Sequence, residues 1–180
     1  MYNVVIFAMS LFASLLTREN QSMEYSLNFQ TQYNQFYLYD KGSPGETGSE
    51  DFWTAEAFSD RLAMKSGILG IGTQSYGHIK AELLILNKAT QTTNYRQYDH
   101  VVEGGLEIKS GVLQVLDCPN SKVELAVNLR PGTYRVRVYS SGIVNTDMDE
   151  SEGHDLYKIE IWPDRNIERK VLKRYLRQKH

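Results

Sequence analysis

An all-β domain, an antiparallel β-sandwich with one short helix, is the fold this sequence predicts, and three observations predict it. The first is a pair of runs, Thr133-Tyr134-Arg135-Val136-Arg137-Val138-Tyr139 after the turn Pro131-Gly132, and Asp155 to Trp162 before Pro163. Both alternate in side-chain character at period two, which sends one set of residues into a core and the other toward water. They read as antiparallel partners joined by a long acidic connection. The second is the number of such runs: about nine short strands, with turn residues roughly every ten positions, is the rhythm of a sandwich. The third is the pattern of connections. Strands do not alternate with helical segments, so a doubly wound fold is rejected.

In chain order, Tyr25, Leu27 and Phe29 alternate with polar residues as a half-buried strand does. The aromatic-rich run Tyr33 to Tyr39 is a second strand. Lys41 to Ser49, rich in Gly, Ser and Pro, is a loop. From Asp51 to Met64 the period changes. Trp53, Ala57 and Met64 fall near one helical face with Phe58 and Leu62 beside it, so a short helix is expected, capped by Ser49 or Asp51. Gly67, Gly70 and Gly72 punctuate the next strand and indicate a bulge or a close backbone approach. Ile79, Ala81, Leu83 and Ile85 form the inward face of another strand, with His78, Lys80 and Glu82 opposite. Thr90 to Tyr95 is a polar loop. His100 to Glu103 and Leu106 to Lys109 read as two short strands split by Gly104-Gly105, and Ser110-Gly111 as a two-residue hairpin turn into Val112 to Leu116. Val123, Leu125, Val127 and Leu129 give the cleanest alternation of all.

The 180 residues are enough for one domain with its own core. The reading divides them into an apolar extension over 1–22, a sandwich over 23–164 and a basic tail over 165–180. In the first segment, Val4 to Leu16 is shorter than a bilayer span of about 18 to 20 residues and lacks a basic flank before it. It is a signal or anchor, a packed helix, or a stretch upstream of a natural start at Met23. A cytoplasmic protein is expected, or a secreted or membrane-anchored one if the segment is a genuine signal. The tail carries Arg165, Arg169, Lys170, Lys173, Arg174, Arg177 and Lys179 against Glu168, so the body before it is acidic although the net charge is only −2. It is a solvated last strand or helix, or an electrostatic contact for an acidic partner. That balance argues against direct nucleic-acid binding. The single cysteine, Cys118, excludes an intrachain disulfide framework and is compatible with a reducing compartment.

No catalytic signature is present. Cys118 has no histidine near it in sequence, no G-x-S-x-G elbow occurs, and no Lys-Ser/Thr pair follows the glycines around Gly72. The histidines form no metal-ligating pair, so neither a metal nor a cofactor is expected. The acidic connection is the leading candidate site. Asp147, Asp149, Glu150, Glu152 and Asp155 crowd it, a density that complements a basic partner protein and speeds encounter with it. The alternative is calcium or a small ligand, as in C2-like or lectin-like sandwiches, but the EF-hand positions hold Glu152 and Lys158 instead of Gly and Glu. Arg135 and Arg137, two apart, point off one strand face. They form an anion platform or, with Glu160 and Lys158, a cross-strand charge ladder.

Tyr33 to Tyr39, Trp53-Thr54-Ala55-Glu56-Ala57, the glycine-rich strand near Ile68 and Leu129-Arg130-Pro131-Gly132-Thr133-Tyr134 together resemble the competence protein J family in order and spacing, from about Tyr25 to about Trp162. The resemblance implies a non-enzymatic domain that binds and blocks a nuclease or toxin, as an inhibitor or immunity-type protein. It maps no inhibitory residue onto this chain, and the N-terminal apolar run and basic tail depart from its pattern.

Overall fold

The computed structural model describes residues 22–149 and 151–176. Among these residues, eleven strands form two packed sheets. One holds β1 (Met23–Gln30), β5 (His78–Ile85), β10 (Leu156–Pro163), β9 (Gly132–Ser141), β6 (His100–Ile108) and β11 (Lys170–Lys173), in that spatial order. The other holds β3 (Leu62–Lys65), β4 (Ile68–Gly72), β2 (Gln35–Asp40), β7 (Val112–Leu116) and β8 (Val123–Asn128). The helix α1 (Ala55–Asp60) lies between β2 and β3 in the chain. The pair that anchors the prediction is present: β9 and β10 run antiparallel, Arg137 opposite Glu160 and Val136 opposite Ile161. One ladder, β10 on β5, is parallel, because the acidic connection returns β10 to the far side of β9 from β6.

Alternation decides the core. Leu27, Phe29, Phe36, Leu38, Ile79, Leu83, Val136, Val138, Ile159 and Ile161 meet between the sheets and are all buried. The outer faces are covered too. On the outer face of the smaller sheet, Tyr37, Ala63, Ile68 and Leu116 pack with Phe52 and Ala57 of the α1 region. On the outer face of the larger one, Arg135, Arg137, Tyr139, Glu160 and Trp162 of β9 and β10 are buried as well, with Lys158 half-buried among them. Residues of β9 and β10 are therefore enclosed on both sides, which alternation alone does not announce.

Four local expectations change. The short helix expected within Asp51 to Met64 is six residues long, and its cap is Thr54, whose hydroxyl accepts from the Ala57 amide at 3.2 Å, rather than Ser49 or Asp51. Arg61 in the left-handed region (φ 54°) ends it, and Leu62 to Lys65 extend to pair with β4. The second strand begins at Gln35, because Tyr33 and Asn34 (φ 58° and 52°) form a tight turn closed by the Gln32–Gln35 bridge. Gly104-Gly105 does not interrupt β6. A Cβ on Gly104 would fall 2.8 Å from Leu62 Cδ2, and one on Gly105 would collide with the Ile167 backbone, so the bare pair lets chain press on both faces of a continuous strand. Ser110-Gly111 is a crossover between sheets instead of a hairpin: β6 and β7 do not pair. The close approach expected among the earlier glycines is found at Gly70, which lies under the rings of Phe52 and Trp53.

Residues 165–176 run along the domain. β11 pairs with β6, and Arg169 and Arg174 both bond Asp60, at 2.8 and 2.6 Å. The apolar run Val4 to Leu16, together with Arg177 and Lys179 of the tail, lies outside the described residues.

Candidate partner-binding surface

Three connections meet at one end of the sandwich: the Tyr33-Asn34 turn, the β4–β5 loop (residues 73–77) and the acidic β9–β10 connection (residues 142–155). The acidic connection begins with a 3-10 turn, Ile143–Asn145, and then lies against the β4–β5 loop through several bonds. Gln74 Nε2 donates to the Thr146 carbonyl at 3.0 Å and the amide of His78, the first residue of β5, to the Ser151 carbonyl at 2.7 Å, while within the connection the His154 amide donates to Thr146 Oγ1 at 2.9 Å. Asn34 Nδ2 donates to the Gln74 and Met148 carbonyls at 2.9 and 2.8 Å, joining all three connections. This makes the left-handed backbone at Asn34 useful, and asparagine tolerates it. Tyr33 does not, at roughly 1–2 kcal/mol.

The predicted acidic residues separate into two kinds. Asp147, Asp149 and Glu152 are exposed, and among the described residues no cation pairs with them. Glu150 lies outside the described residues. Asp155 is buried: its Oδ2 accepts from the Gln74 and Ser75 amides at 3.1 and 3.0 Å and from the Tyr157 hydroxyl at 2.5 Å. Burial first, then the adjoining Asp155 carboxylate, hold the Tyr157 phenol protonated far above its ordinary range. Asp155 thus anchors the connection and the other three face solvent. Among the described residues no three His, Cys, Asp or Glu side chains converge to hold a metal ion.

Beside the carboxylates stand Tyr33, Tyr76 and Met148, exposed by 58, 37 and 47%. The two tyrosine rings meet edge to face at 6.0 Å. Sequence reasoning placed Tyr33 inside a strand and passed over Tyr76 and Met148. The only signal was the Tyr-Asn pair between two strand-like runs, whose composition suits a left-handed turn.

Arg135 and Arg137 lie elsewhere, on the outer face of the larger sheet, and are buried. Glu103 of β6 takes both: its Oε2 accepts from Arg135 Nη2 at 3.0 Å and its Oε1 from Arg137 Nε at 2.6 Å. Arg137 also stacks over Trp162, 5.1 Å from the ring centroid, and donates to Tyr139 Oη at 3.0 Å. Burial works against its charge, but the bonds to Tyr139 and Glu103 outweigh burial and raise its pKa further. Glu160 accepts from Thr90, Tyr139 and Lys158. The arginines thus belong to a cross-strand network, extended by the unforeseen Glu103, and present no free fork to an incoming anion.

His100, the most buried histidine, sits at 2.9 Å from the Asp60 carbonyl through Nε2, and its Nδ1 accepts from the Tyr175 amide at 3.2 Å. Burial, then the charges of Arg61 and Arg174, push its pKa down to about 4, against the pull of the Asp60 carbonyl and carboxylate. The folded-state pKa is below the unfolded value of about 6.5, so the unfolded chain binds the proton first. Stability is full above about pH 6.5 and falls as pH drops toward about 4. His100→Gln, compared with the parent by urea denaturation across this range, is expected to flatten that slope. An unchanged slope would contradict the assignment.

No family model matches the chain, and no curated protein matches it. Two solved structures do. One is ComJ, inhibitor of the DNA degrading activity of NucA, from Bacillus subtilis: TM-score 0.59 and 21% identity, covering 81% of this chain and 98% of that one. The other is the product of crocagin biosynthetic gene J: TM-score 0.52 and 14% identity, covering 81% of this chain and 99% of that one. At such identities the likeness is one of architecture, and this chain has the β-sandwich fold seen in ComJ and in crocagin biosynthetic protein J.

Proposed function

We propose that this chain is a non-enzymatic protein-binding module that inhibits a nuclease or related toxin, in the manner of an immunity protein. The observation that carries the reading is the presentation of Asp147, Asp149 and Glu152: exposed carboxylates on a connection whose backbone is bonded to the Asn34 turn and the β4–β5 loop and anchored by buried Asp155. A nuclease binds a polyanion and so has a basic cleft. A fixed acidic surface complements that cleft, accelerates encounter and covers it sterically, and prior ordering of the loop lowers the entropy lost on docking. The fold shared with ComJ, itself an inhibitor of a nuclease, supports the same reading.

The test is affinity capture from the native cell at low and moderate salt, followed by a DNA-degradation assay of the captured protein with and without the chain. A stoichiometric, salt-sensitive complex with a basic nuclease, inhibited on binding, is expected. Reversing Asp147, Asp149 and Glu152 to lysine is expected to weaken the complex by about tenfold or more and to reduce its salt dependence. Unaltered affinity in that variant would remove the acidic connection from the mechanism.

A further inference from the structure

The carboxylates do not stand alone. Tyr76, Asp147, Met148 and Asp149 line a depression of about 500 Å³, and Tyr33 packs edge to face against Tyr76 at its side. Resting on the reading above, we infer that this depression takes an arginine side chain of the basic partner. Its lining matches both parts of that residue. Met148 and the Tyr76 ring offer apolar surface to the methylene stem, while Asp147 and Asp149 offer acceptors to the planar guanidinium, which also stacks on aromatic faces. Lysine would gain the charge attraction but neither the fork geometry nor the stacking. The two carboxylates exclude an anionic group, and an uncharged apolar side chain would leave them without a partner.

The walls are formed in advance. Asn34 ties the turn that carries Tyr33 to the carbonyls of Gln74 and Met148, so the aromatic and thioether walls are held by one hydrogen-bonded hub. Tyrosine and arginine are among the residues that carry most of the binding energy at protein interfaces, and they do so where docking excludes water from around them.

The experiment is an NMR titration of the full chain with an arginine-rich peptide and a lysine-rich peptide of equal length and charge. The arginine peptide is expected to bind about threefold to fivefold more tightly, as a cation–π contact at an exposed site implies. Shifts should centre on Tyr76 and Met148. Tyr76→Leu, which keeps an apolar wall without a ring, should abolish that preference, and Tyr76→Phe should retain it. Equal binding of the two peptides, lost in both cases in the Asp147→Asn, Asp149→Asn variant, would overturn the arginine pocket and leave the acidic-surface reading standing. Absence of saturable binding for either peptide would overturn both.

Discussion

Replacing Glu103 by glutamine is expected to destabilise the protein by about 3–5 kcal/mol, the range for removing one partner of a buried ion pair. Glu103, Arg135 and Arg137 are 8, 3 and 7% exposed, and the single carboxylate bridges both guanidiniums. Glutamine keeps the size but loses the charge, and presents a donor where Arg135 or Arg137 also donates. Arg137 retains Tyr139 and the face of Trp162, and Arg135 retains the Asn166 and Glu168 carbonyls, so partial compensation places the loss within that range rather than above it. For a chain of this length the melting temperature should fall by about 10 °C. Urea denaturation with an unchanged m-value is the decisive measurement; a loss below about 1 kcal/mol would show that water or a neighbour replaces the carboxylate. Replacing all three residues with apolar side chains of similar volume should cost far less than the single change, because no charge is left buried and unpaired.

Asp155→Ala is the second large effect, about 3 kcal/mol. The Ser75 amide and the Tyr157 hydroxyl lose their acceptor in a buried site, while the Gln74 amide keeps Tyr157 Oη at 2.8 Å, and each of the two orphaned donors carries a desolvation penalty. The consequence reaches the functional surface. Gln74 also bonds the Thr146 carbonyl, so freeing the β4–β5 loop frees the connection that carries Asp147 and Asp149. Amide hydrogen exchange should therefore accelerate at Gln74, Ser75 and His78 beyond the global loss of stability. Asp155→Asn keeps one acceptor oxygen and should cost less. Protection that falls evenly across the whole domain would mean that Asp155 stabilises the fold without anchoring this loop.

Some of these residues are legible in the chain and others are not. Asp155 and Asp147 look alike as carboxylates in one acidic segment. What separates them is their distance from the strand: Asp155 directly precedes β10 and turns inward against Gln74 and Ser75, about eighty residues earlier in sequence, and no local pattern encodes that contact. Arg135 and Arg137 have the right spacing for one shared face, with Glu160 and Lys158 expected beside them, and the structure sets Glu160 opposite Arg137. Glu103 could not be seen, because its strand was read as broken at Gly104-Gly105. In sequence those glycines look like punctuation, whereas in the fold they serve the approach of Leu62 from one side and Ile167 from the other. Leu62 and Met64, grouped with the helical face by their spacing, belong to a strand for a related reason: Leu62 to Lys65 suit either period over so short a length, and pairing with β4 decides between them.

By itself the sequence determined the all-β class, the β9–β10 pairing, the inward faces of β1, β5, β9 and β10, and the placing of dense acidic charge between two strands. These follow from period-two alternation and turn chemistry, which act over a few neighbouring residues. Tertiary structure alone decided which carboxylates face solvent, that the arginines are enclosed on a covered outer face, and that Tyr33, Tyr76 and Met148 gather beside the acidic connection. Each of those depends on segments far apart in the chain, from 32 residues between Glu103 and Arg135 to 114 between Asn34 and Met148, being brought within hydrogen-bonding or van der Waals distance, and such short-range forces leave no periodic trace in the chain.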